Sequence, residues 1–308
     1  MKNKTVDVII PAYHPGNEFG ALIKRLEKQT VRIHRIIVMN TEESMWNTEW
    51  ENLSDVMEVH HLTKAEFDHG GTRARAAELS DAEIMVFMTQ DAMPADRELL
   101  SELLRAFEQD ENIAAAYARQ LPNAECSFVE RYTRAFNYPD TSLVKTKADL
   151  NQYGIKTYFC SNVCAAYRKD IYQKQGGFVR RTIFNEDMIY AGGLIQAGYS
   201  IAYAAEAKVV HSHNYSAIQQ FHRNFDLAVS QAQHPEVFEG VPSEGEGIRM
   251  VKATAKYLIR SRQPLKIWNL IYQSGCKYIG YFLGKRYEKL PKWFVLKCTS
   301  SPKYWKKS

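Results

Sequence analysis

Hydrophobic residues in the first 120 positions follow two spacings in turn, which predicts strands alternating with helices. Mostly apolar runs, typical of buried strands, occupy 6–11, 33–39, 56–62, 83–88 and 113–117. Between them, apolar residues three and four apart predict helices over 18–29, 72–80 and 96–109, and Asn17 is suited to cap the first. This alternation favours an α/β fold, a mostly parallel sheet flanked by helices.

The second half of the chain is less regular. We predict a strand within 156–170, a helix opened by Glu186 and Asp187, short strands at 201–204 and 208–211, and a helix over 217–232. Residues 234–247 combine proline, glycine and acids without periodicity, as linkers do. The spacing then predicts helices over 248–260 and 265–286. The expected organisation is a domain at 1–233, a linker at 234–247 and a helical tail at 248–308.

Charge is distributed unevenly between these parts. Residues from Arg249 onward include 15 Lys/Arg and one acid, whereas the preceding residues hold 25 Lys/Arg and 34 acids. The helix at 265–286 also carries an apolar stripe through Leu265, Trp268, Ile271/Tyr272, Ile279 and Phe282. A basic amphipathic tail of this kind suits an anionic membrane surface. The alternative is that both helices pack against the domain and their charges are simply solvated. No nucleic-acid-binding motif accompanies the charge, so we expect no nucleic-acid partner.

Other features narrow the class of protein. The five cysteines are scattered and form no CxxC pair, which predicts reduced thiols. No apolar run approaches the ~18 residues of a spanning helix, and the N-terminus leads into a strand without a signal-peptide pattern. We therefore expect a cytoplasmic protein, peripheral on the inner face of the plasma membrane. No GxGxxG follows the first strand, which argues against a dinucleotide-dependent oxidoreductase.

Candidate chemistry lies at predicted strand ends and helix starts. Asp91 follows the strand at 83–88, where ligands bind in open α/β sheets, and a carboxylate there suits a divalent cation or caps a helix. His211 and His213 would share one face of a continuing strand. Arg73 and Arg75 stand two apart on a helix, so at most one faces a substrate.

Several segments, in order along the chain, resemble glycosyltransferase family 2, whose fold is GT-A (Rossmann-like). They are VIIPAY, GGTRARA, TQDAMP and NEDMIYAGGLIQAGYSIAYAAEAKVVHSHNY. FDHGGTR, RQLP, FNYP and SNVCAAYR are more narrowly similar to the bacterial rhamnosyltransferases of that family. The resemblance covers roughly residues 5–230, which makes 1–233 the catalytic domain, and the basic tail also resembles that subgroup.

The resemblance implies an inverting, metal-dependent transfer of a sugar to a hydroxyl group. The donor it implies is dTDP-L-rhamnose, and the acceptor is a lipid-linked cell-surface glycan. A UDP-hexose donor stays an alternative. So does a non-catalytic scaffold that binds nucleotide sugar or membrane, because the family's DxD-like motif is reduced here to Asp91.

The resemblance also assigns roles to residues. Asp187 matches the catalytic base, with Glu186 as its orienting neighbour, and Asp91 with His211 or His213 would hold Mg²⁺ or Mn²⁺. Because Asp187 opens a helix, we expect a depressed pKa and an ionised carboxylate at neutral pH. Asp68 has the alternative role of a turn acid. The residues expected to bind the nucleotide sugar are Pro11, Ala12, Tyr13, Asn40, Asp68, Arg73, Gln90, Asp91, Arg119 and Asn162.

Overall fold

The computed structural model describes residues 4–241 and 244–306 and divides into two compact units. The first unit consists of the described residues within Met1–Asn123, Tyr138–Arg181 and Glu186–Ser212. The second consists of those within Ala124–Asn137, Thr182–Asn185 and His213–Ser308. The functional limits inferred from the sequence, 1–233, 234–247 and 248–308, stay a prediction.

The first unit is built on a nine-stranded mixed sheet. Its strands are β1 (Val6–Tyr13), β2 (Arg35–Thr41), β3 (Met57–Leu62), β4 (Ile84–Met88), β5 (Met93–Pro94), β6 (Ile113–Leu121), β7 (Leu143–Lys145), β8 (Cys164–Arg168) and β9 (Ser200–Val210). They are ordered β3-β2-β1-β4-β8-β6-β9-β5, and β7 also pairs with β9. The first four strands and the β6–β9 pair are parallel, whereas β8 runs antiparallel to both of its neighbours.

The helices of the first unit are α1 (Glu18–Leu26), α2 (His69–Leu79), α3 (Leu99–Ala106), α5 (Leu150–Tyr153), α6 (Lys169–Lys174) and α7 (Glu186–Gln196). Short 3-10 turns occupy Glu43–Met45, Thr48–Leu53, Lys147–Asp149 and Gly154–Tyr158. The predicted apolar runs form the core. Val8, Ile36 and Val86 lie buried in the sheet and belong to one core cluster with Leu22 of α1 and Leu103 of α3. Because β1, β2 and β4 are parallel, their carboxyl ends meet at one edge of the sheet, which brings Tyr13, Asn40 and the 89–91 segment to the same side.

Three local predictions differ from the structure, and a fourth is confirmed with narrower bounds. Residues 201–204 and 208–211 belong to one strand, β9, which ends at Val210; the argument that His211 and His213 share a strand face is therefore wrong. Asn17 has helical backbone angles and makes no capping hydrogen bond through its side chain. In the 156–170 region only Cys164–Arg168 is a strand. The segment predicted as a linker includes a one-turn helix, α9 (Pro235–Phe238).

The second unit is helical. Its helices are α4 (Phe128–Asn137), α8 (Ala217–Gln233), α9, α10 (Glu244–Arg260), α11 (Lys266–Gly284) and α12 (Lys292–Cys298). A 3-10 turn at Tyr287–Lys289 precedes α12, and another at Tyr304–Lys306 follows it. Phe225 and Val229 of α8 form a buried cluster with Val295 and Cys298 of α12. Asp226, also buried, accepts hydrogen bonds from the Thr299 hydroxyl at 2.6 Å and the Ser300 amide at 2.9 Å.

Helices α8 and α11 approach closely at two glycines. A Cβ atom on Gly280 would lie 2.3 Å from the carbonyl oxygen of Phe221, and one on Gly284 would lie 2.3 Å from that of Phe225. At 100° per residue, the predicted apolar stripe lies on the opposite face of α11. It is exposed: Leu265 by 84%, Trp268 by 76% and Ile279 by 52%. Among the described residues, no helix is both long and apolar enough to span a bilayer.

We predict that Gly280→Ala destabilises the second unit by about 1–3 kcal/mol, because the added methyl group overpacks the contact with α8. Gly275 of the same helix has no atom within 4 Å of a built Cβ. Gly275→Ala is the matched control and should stabilise by about 1 kcal/mol, since alanine is the better helix former. Urea unfolding followed by far-UV circular dichroism measures both. Equal effects of the two substitutions would contradict the close approach.

Candidate active site

The carboxyl ends of β1 and β4 are joined by a reciprocal amide pair. The Tyr13 backbone amide donates to Gln90 Oε1 at 2.7 Å, and Gln90 Nε2 donates back to the Tyr13 carbonyl at 3.1 Å. The Tyr13 ring is 40% exposed, and its hydroxyl accepts a hydrogen bond from Lys64. Pro11 is half-buried and Ala12 is buried. The structure therefore brings four of the predicted binding residues to this edge and leaves Tyr13 accessible.

Asn40 follows in the neighbouring strand but is fully buried. Its Nδ2 lies 3.2 Å from the Glu42 carbonyl, to which it donates, and 3.0 Å from His61 Nδ1. Asn40 therefore shapes the end of β2 from within, and a ligand contact through its side chain stays a prediction.

Asp68 and Arg73 lie at the start of α2. Asp68 Oδ1 accepts hydrogen bonds from the backbone amides of Gly70 and Gly71, both at 3.0 Å, so this acid caps the helix. Arg73 is buried, whereas Arg75 is exposed, as the helical spacing predicts. The guanidinium of Arg73 lies 3.1 Å from Glu186 Oε1 and donates to the His69 carbonyl. The structure thus shows Arg73 bound to an acid of the chain itself; its predicted contact with a nucleotide stays a prediction.

Glu186 is the centre of a buried hydrogen-bond chain. Besides Arg73, it accepts from Asn162 Nδ2 at 3.2 Å. Asn162 Oδ1 in turn accepts from the Tyr167 hydroxyl at 2.8 Å, and that hydroxyl lies 3.4 Å from Cys160 Sγ. The chain links α2, α7 and β8 through the 160–162 loop. Tyr167 is a site residue that the sequence analysis did not identify. The available signal was a large polar side chain in a strand of small residues, three positions after Cys164.

Asp187 is fixed by the same loop. Its Oδ2 accepts from the Asn162 backbone amide at 3.0 Å, and its Oδ1 accepts from the Met188 amide at 2.8 Å. Burial, and then the neighbouring Glu186, raise the pKa of Asp187 to about 7, against the weaker lowering by these amides and Arg73. The expectation of a depressed pKa is therefore wrong, because burial outweighs the position at a helix start.

Asp91 and His211 come together beyond β4 and β9. Asp91 Oδ2 lies 3.5 Å from His211 Nε2; the aspartate side chain is 37% exposed and the histidine 9%. His211 Nδ1 lies 3.1 Å from Gln120 Oε1, while Gln120 Nε2 donates to Ser161 Oγ at 3.1 Å. With Gln120 Oε1 as the acceptor, Nδ1 is the donor of this pair. Nε2 is the ring nitrogen that faces Asp91, and in the neutral imidazole it can bind a metal ion. One carboxylate and one such imidazole fit a divalent cation whose other ligands are water and phosphate oxygens.

Two predicted residues are less fully defined. Arg119, on β6 beside Gln120, is half-buried, and its Nε has no hydrogen-bond partner within the described part of the chain. His213 belongs to the second unit, and its role as a metal ligand stays a prediction.

The fold first defines a class of protein. Mannosyltransferase PcManGT from Pyrobaculum calidifontis, solved with GDP-Man and Mn²⁺, matches with a TM-score of 0.58 at 14% identity, over 89% of this chain and 74% of that one. A crystal structure of S. aureus TarS matches with a TM-score of 0.52 at 13% identity, over 92% and 91%. These likenesses show an α/β fold of the GT-A glycosyltransferase type.

Sequence comparison then gives the family. Residues 7–176 match the model of glycosyl transferase family 2. The chain is 37% identical over 294 residues to the O-antigen chain rhamnosyltransferase RfbN of Salmonella typhimurium, covering 93% of this chain and 91% of that one. It is also 37% identical, over 291 residues, to the O-antigen chain rhamnosyltransferase WbaN of Salmonella anatum. The chain therefore belongs to glycosyl transferase family 2, and the predicted family and GT-A fold are confirmed.

We predict that Arg73→Met destabilises the protein by about 3–5 kcal/mol, because it leaves the buried Glu186 carboxylate without its cation. Arg75→Met, on the exposed face of the same helix, is the matched control and should change stability by less than ~0.5 kcal/mol. Chemical denaturation measures both. Adding Glu186→Gln to Arg73→Met should restore part of the loss; a double variant no more stable than the single one would contradict the pairing.

Proposed function

We propose that this protein is an inverting glycosyltransferase that moves L-rhamnose from dTDP-L-rhamnose to a hydroxyl group of a lipid-linked cell-surface glycan. The rhamnosyl group is supported by the names of the two relatives, both O-antigen chain rhamnosyltransferases that align over nine-tenths of this chain. The observation that carries the reaction type is Asp187, a carboxylate of raised pKa held in place by two backbone amides.

Asp187 is the proposed base. Inversion in one displacement needs a group that removes the proton of the acceptor hydroxyl as the oxygen attacks the anomeric carbon. A base works best when its pKa lies near the working pH, and burial brings Asp187 there. Glu186 is its positioning neighbour, because Arg73 and Asn162 fix its carboxylate.

The leaving diphosphate needs positive charge. Asp91 and His211 are the proposed ligands of Mg²⁺ or Mn²⁺, and His213 is a third candidate. When bound, such a cation supplies charge opposite the departing phosphate oxygens. Arg119 is a further candidate for this charge, because it precedes Gln120 on β6 and pairs in register with Lys208 of β9, the strand that leads to His211. PcManGT, which shares the fold, was solved with Mn²⁺.

The nucleotide is proposed to lie along the carboxyl edge of β1 and β4. Tyr13, Gln90 and Asp91 are accessible there and can contact the ligand directly. Pro11, Ala12, Asn40 and Asp68 belong to the same predicted set. Of these, the buried Asn40 and the helix cap Asp68 support the shape of the site more directly than they offer contacts.

We also propose that the second unit binds the cytoplasmic face of the plasma membrane. The apolar stripe of α11 is exposed, opposite the face that packs on α8, and the residues from Arg249 onward are strongly basic. Exposed Trp and Ile beside lysine and arginine fit the interface of an anionic bilayer. Each basic residue near such a surface adds roughly 1 kcal/mol.

A UDP-hexose donor is the alternative within the same chemistry, and a non-catalytic nucleotide-sugar or membrane scaffold is the alternative outside it. The single acid Asp91, in place of a fuller DxD motif, is the feature that favours the scaffold. The raised pKa of Asp187 favours an enzyme, because perturbed carboxylates cluster at catalytic sites.

We predict that Asp187→Asn lowers the transfer rate by about 10²–10⁴-fold while donor affinity stays near wild type, because only proton removal is lost. In the wild type, kcat/KM should rise with pH until Asp187 is ionised, above about pH 7.

The folded state holds the Asp187 proton more tightly than the unfolded chain, so wild-type stability should fall relative to Asp187→Asn as the pH rises from the ordinary aspartate range to about 7. Asp55→Asn, at an exposed carboxylate, is the control.

The donor is settled by a titration of dTDP-L-rhamnose, UDP-glucose, UDP-galactose and GDP-mannose, each with and without Mn²⁺. Tightest binding of dTDP-L-rhamnose, strengthened by Mn²⁺ in the wild type but not in Asp91→Asn, supports the proposal. Preference for a UDP-sugar would overturn the rhamnose assignment and keep the reaction. Absence of binding to all four donors would favour the scaffold.

We predict that Ile271→Gln/Ile279→Gln weakens binding to phosphatidylcholine vesicles containing phosphatidylglycerol by roughly tenfold or more. The bilayer would bury these two exposed isoleucines, and the substitution removes that apolar contact. Ile218→Gln/Ile259→Gln changes the same atoms on α8 and α10, at exposed fractions of 63% and 61%, and serves as the control. Vesicle co-sedimentation measures both. A control that weakens binding as much would remove the α11 stripe as the docking surface.

A further inference from the structure

The second unit contains a cavity of about 240 Å³ that has no role in the reaction proposed above. The start of α4, the 213–215 segment and helices α8, α10 and α11 contribute its lining. All of these belong to the second unit, so the cavity is a feature of that unit alone.

The apolar residues of the lining include Phe128, Leu270 and Met250. Phe128 is held in place: its ring stacks on Tyr257 at 5.2 Å between centroids, and Tyr257 stacks on Tyr132 at 4.1 Å. The Lys266 ammonium also lies over the Phe128 ring, 4.8 Å from its centroid. Leu270 and Met250 therefore supply the apolar surface that can contact the C–H groups of a sugar ring.

Side-chain amides form another part of the cavity lining. Gln273 Nε2 donates to Asn269 Oδ1 at 3.2 Å, which leaves Gln273 Oε1 as an acceptor and Asn269 Nδ2 as a donor, with no partner among the described residues. The side-chain amide of Gln220 likewise makes no hydrogen bond within the described part of the chain. A sugar hydroxyl both donates and accepts, so adjacent donor and acceptor atoms suit a pair of hydroxyl groups.

Lys277 adds a donor. It lines the cavity, is half-buried and makes no hydrogen bond or ion pair with the residues that the structure describes. Burial lowers its pKa, and the charge of Glu130 opposes this effect. Glu130 itself is held by Arg134 at 2.6 Å. An ammonium group removed from water gains from a ligand that brings oxygen acceptors.

Size and charge narrow the ligand. The volume lies below the roughly 300–1,000 Å³ of pockets for drug-sized molecules, so the cavity suits one sugar unit rather than a whole nucleotide sugar. The lining includes two lysines, Lys266 and Lys277, and one acid, Glu130, which Arg134 pairs. The amides add both donors and acceptors, and this mixture suits a polyhydroxyl compound.

We propose that this cavity is a subsite for one saccharide unit of the acceptor glycan. This inference rests on the proposed function, because an acceptor site presupposes transfer to a glycan. Gln273, Asn269 and Lys277 are its hydrogen-bonding residues, and Leu270 and Met250 are its apolar residues.

The test uses the full chain and three neutral probes: methyl α-L-rhamnopyranoside, methyl α-D-mannopyranoside and methyl α-D-galactopyranoside. Asn269→Ala/Gln273→Ala removes the amide pair from α11, and alanine keeps the helix. Asn151→Ala/Gln152→Ala removes the same two amides from exposed positions of α5 and is the matched control. Binding is followed by saturation-transfer NMR and titration, and hydrolysis of dTDP-L-rhamnose without acceptor is measured on each protein.

We expect saturable binding of at least one glycoside, weakened about tenfold in Asn269→Ala/Gln273→Ala and unchanged in the control, as two lost hydrogen bonds imply. Donor hydrolysis should be unchanged in both variants. No binding of any probe, equal weakening in the control, or displacement of the probes by inorganic phosphate would overturn the subsite. If the wild-type protein binds a glycoside but does not hydrolyse dTDP-L-rhamnose, the result would count against the proposed function and keep the cavity as a saccharide site.

Discussion

The buried ion pair between Arg73 and Glu186 is the constraint on which the candidate active site depends. It joins α2 to α7, and Asn162 ties the 160–162 loop to the same carboxylate. A buried charge without its partner is costly, so these three segments hold one arrangement. Asp187 is adjacent to Glu186 and receives its amide contacts from that loop and from α7. The same packing that fixes the position of Asp187 also buries it, and burial is the main cause of its raised pKa, which Arg73 partly opposes.

Burial separates the predicted site residues into two groups with different physical roles. Tyr13, Gln90, Asp91, Arg119 and Asp187 are at least partly accessible, so a ligand can touch them. Asn40, Arg73, Asn162 and Glu186 are buried, and the chain itself supplies partners for them. A sequence motif does not distinguish the two groups. Replacing a positioning residue impairs a site, and so does replacing a residue that contacts the ligand.

Much of the first unit could be predicted because its strands are apolar on both faces and its helices have one buried stripe. The errors that concern the site depend on contacts between residues distant in sequence. The end of β9 is set by pairing with β6, which no local pattern shows. The pKa of Asp187 was misjudged because a helix start lowers a pKa by a known, modest effect, whereas burial is a property of the folded chain. Tyr167 was missed because its partner Asn162 lies on a loop of irregular backbone.

The second unit shows why periodicity alone cannot tell a docking face from a packing face. The stripe of α11 has the spacing of a buried helix face, but α8 packs on the opposite side, against Gly280 and Gly284. Exposed apolar residues of this size call for a partner. Under the proposed function, the acceptor would contact this unit in two ways: its lipid through the bilayer at the stripe, and one of its sugars at the cavity. Two weak contacts to one ligand reinforce each other, because the first raises the effective concentration for the second. Modest affinity of the cavity for a single free sugar is therefore compatible with firm binding of the whole acceptor.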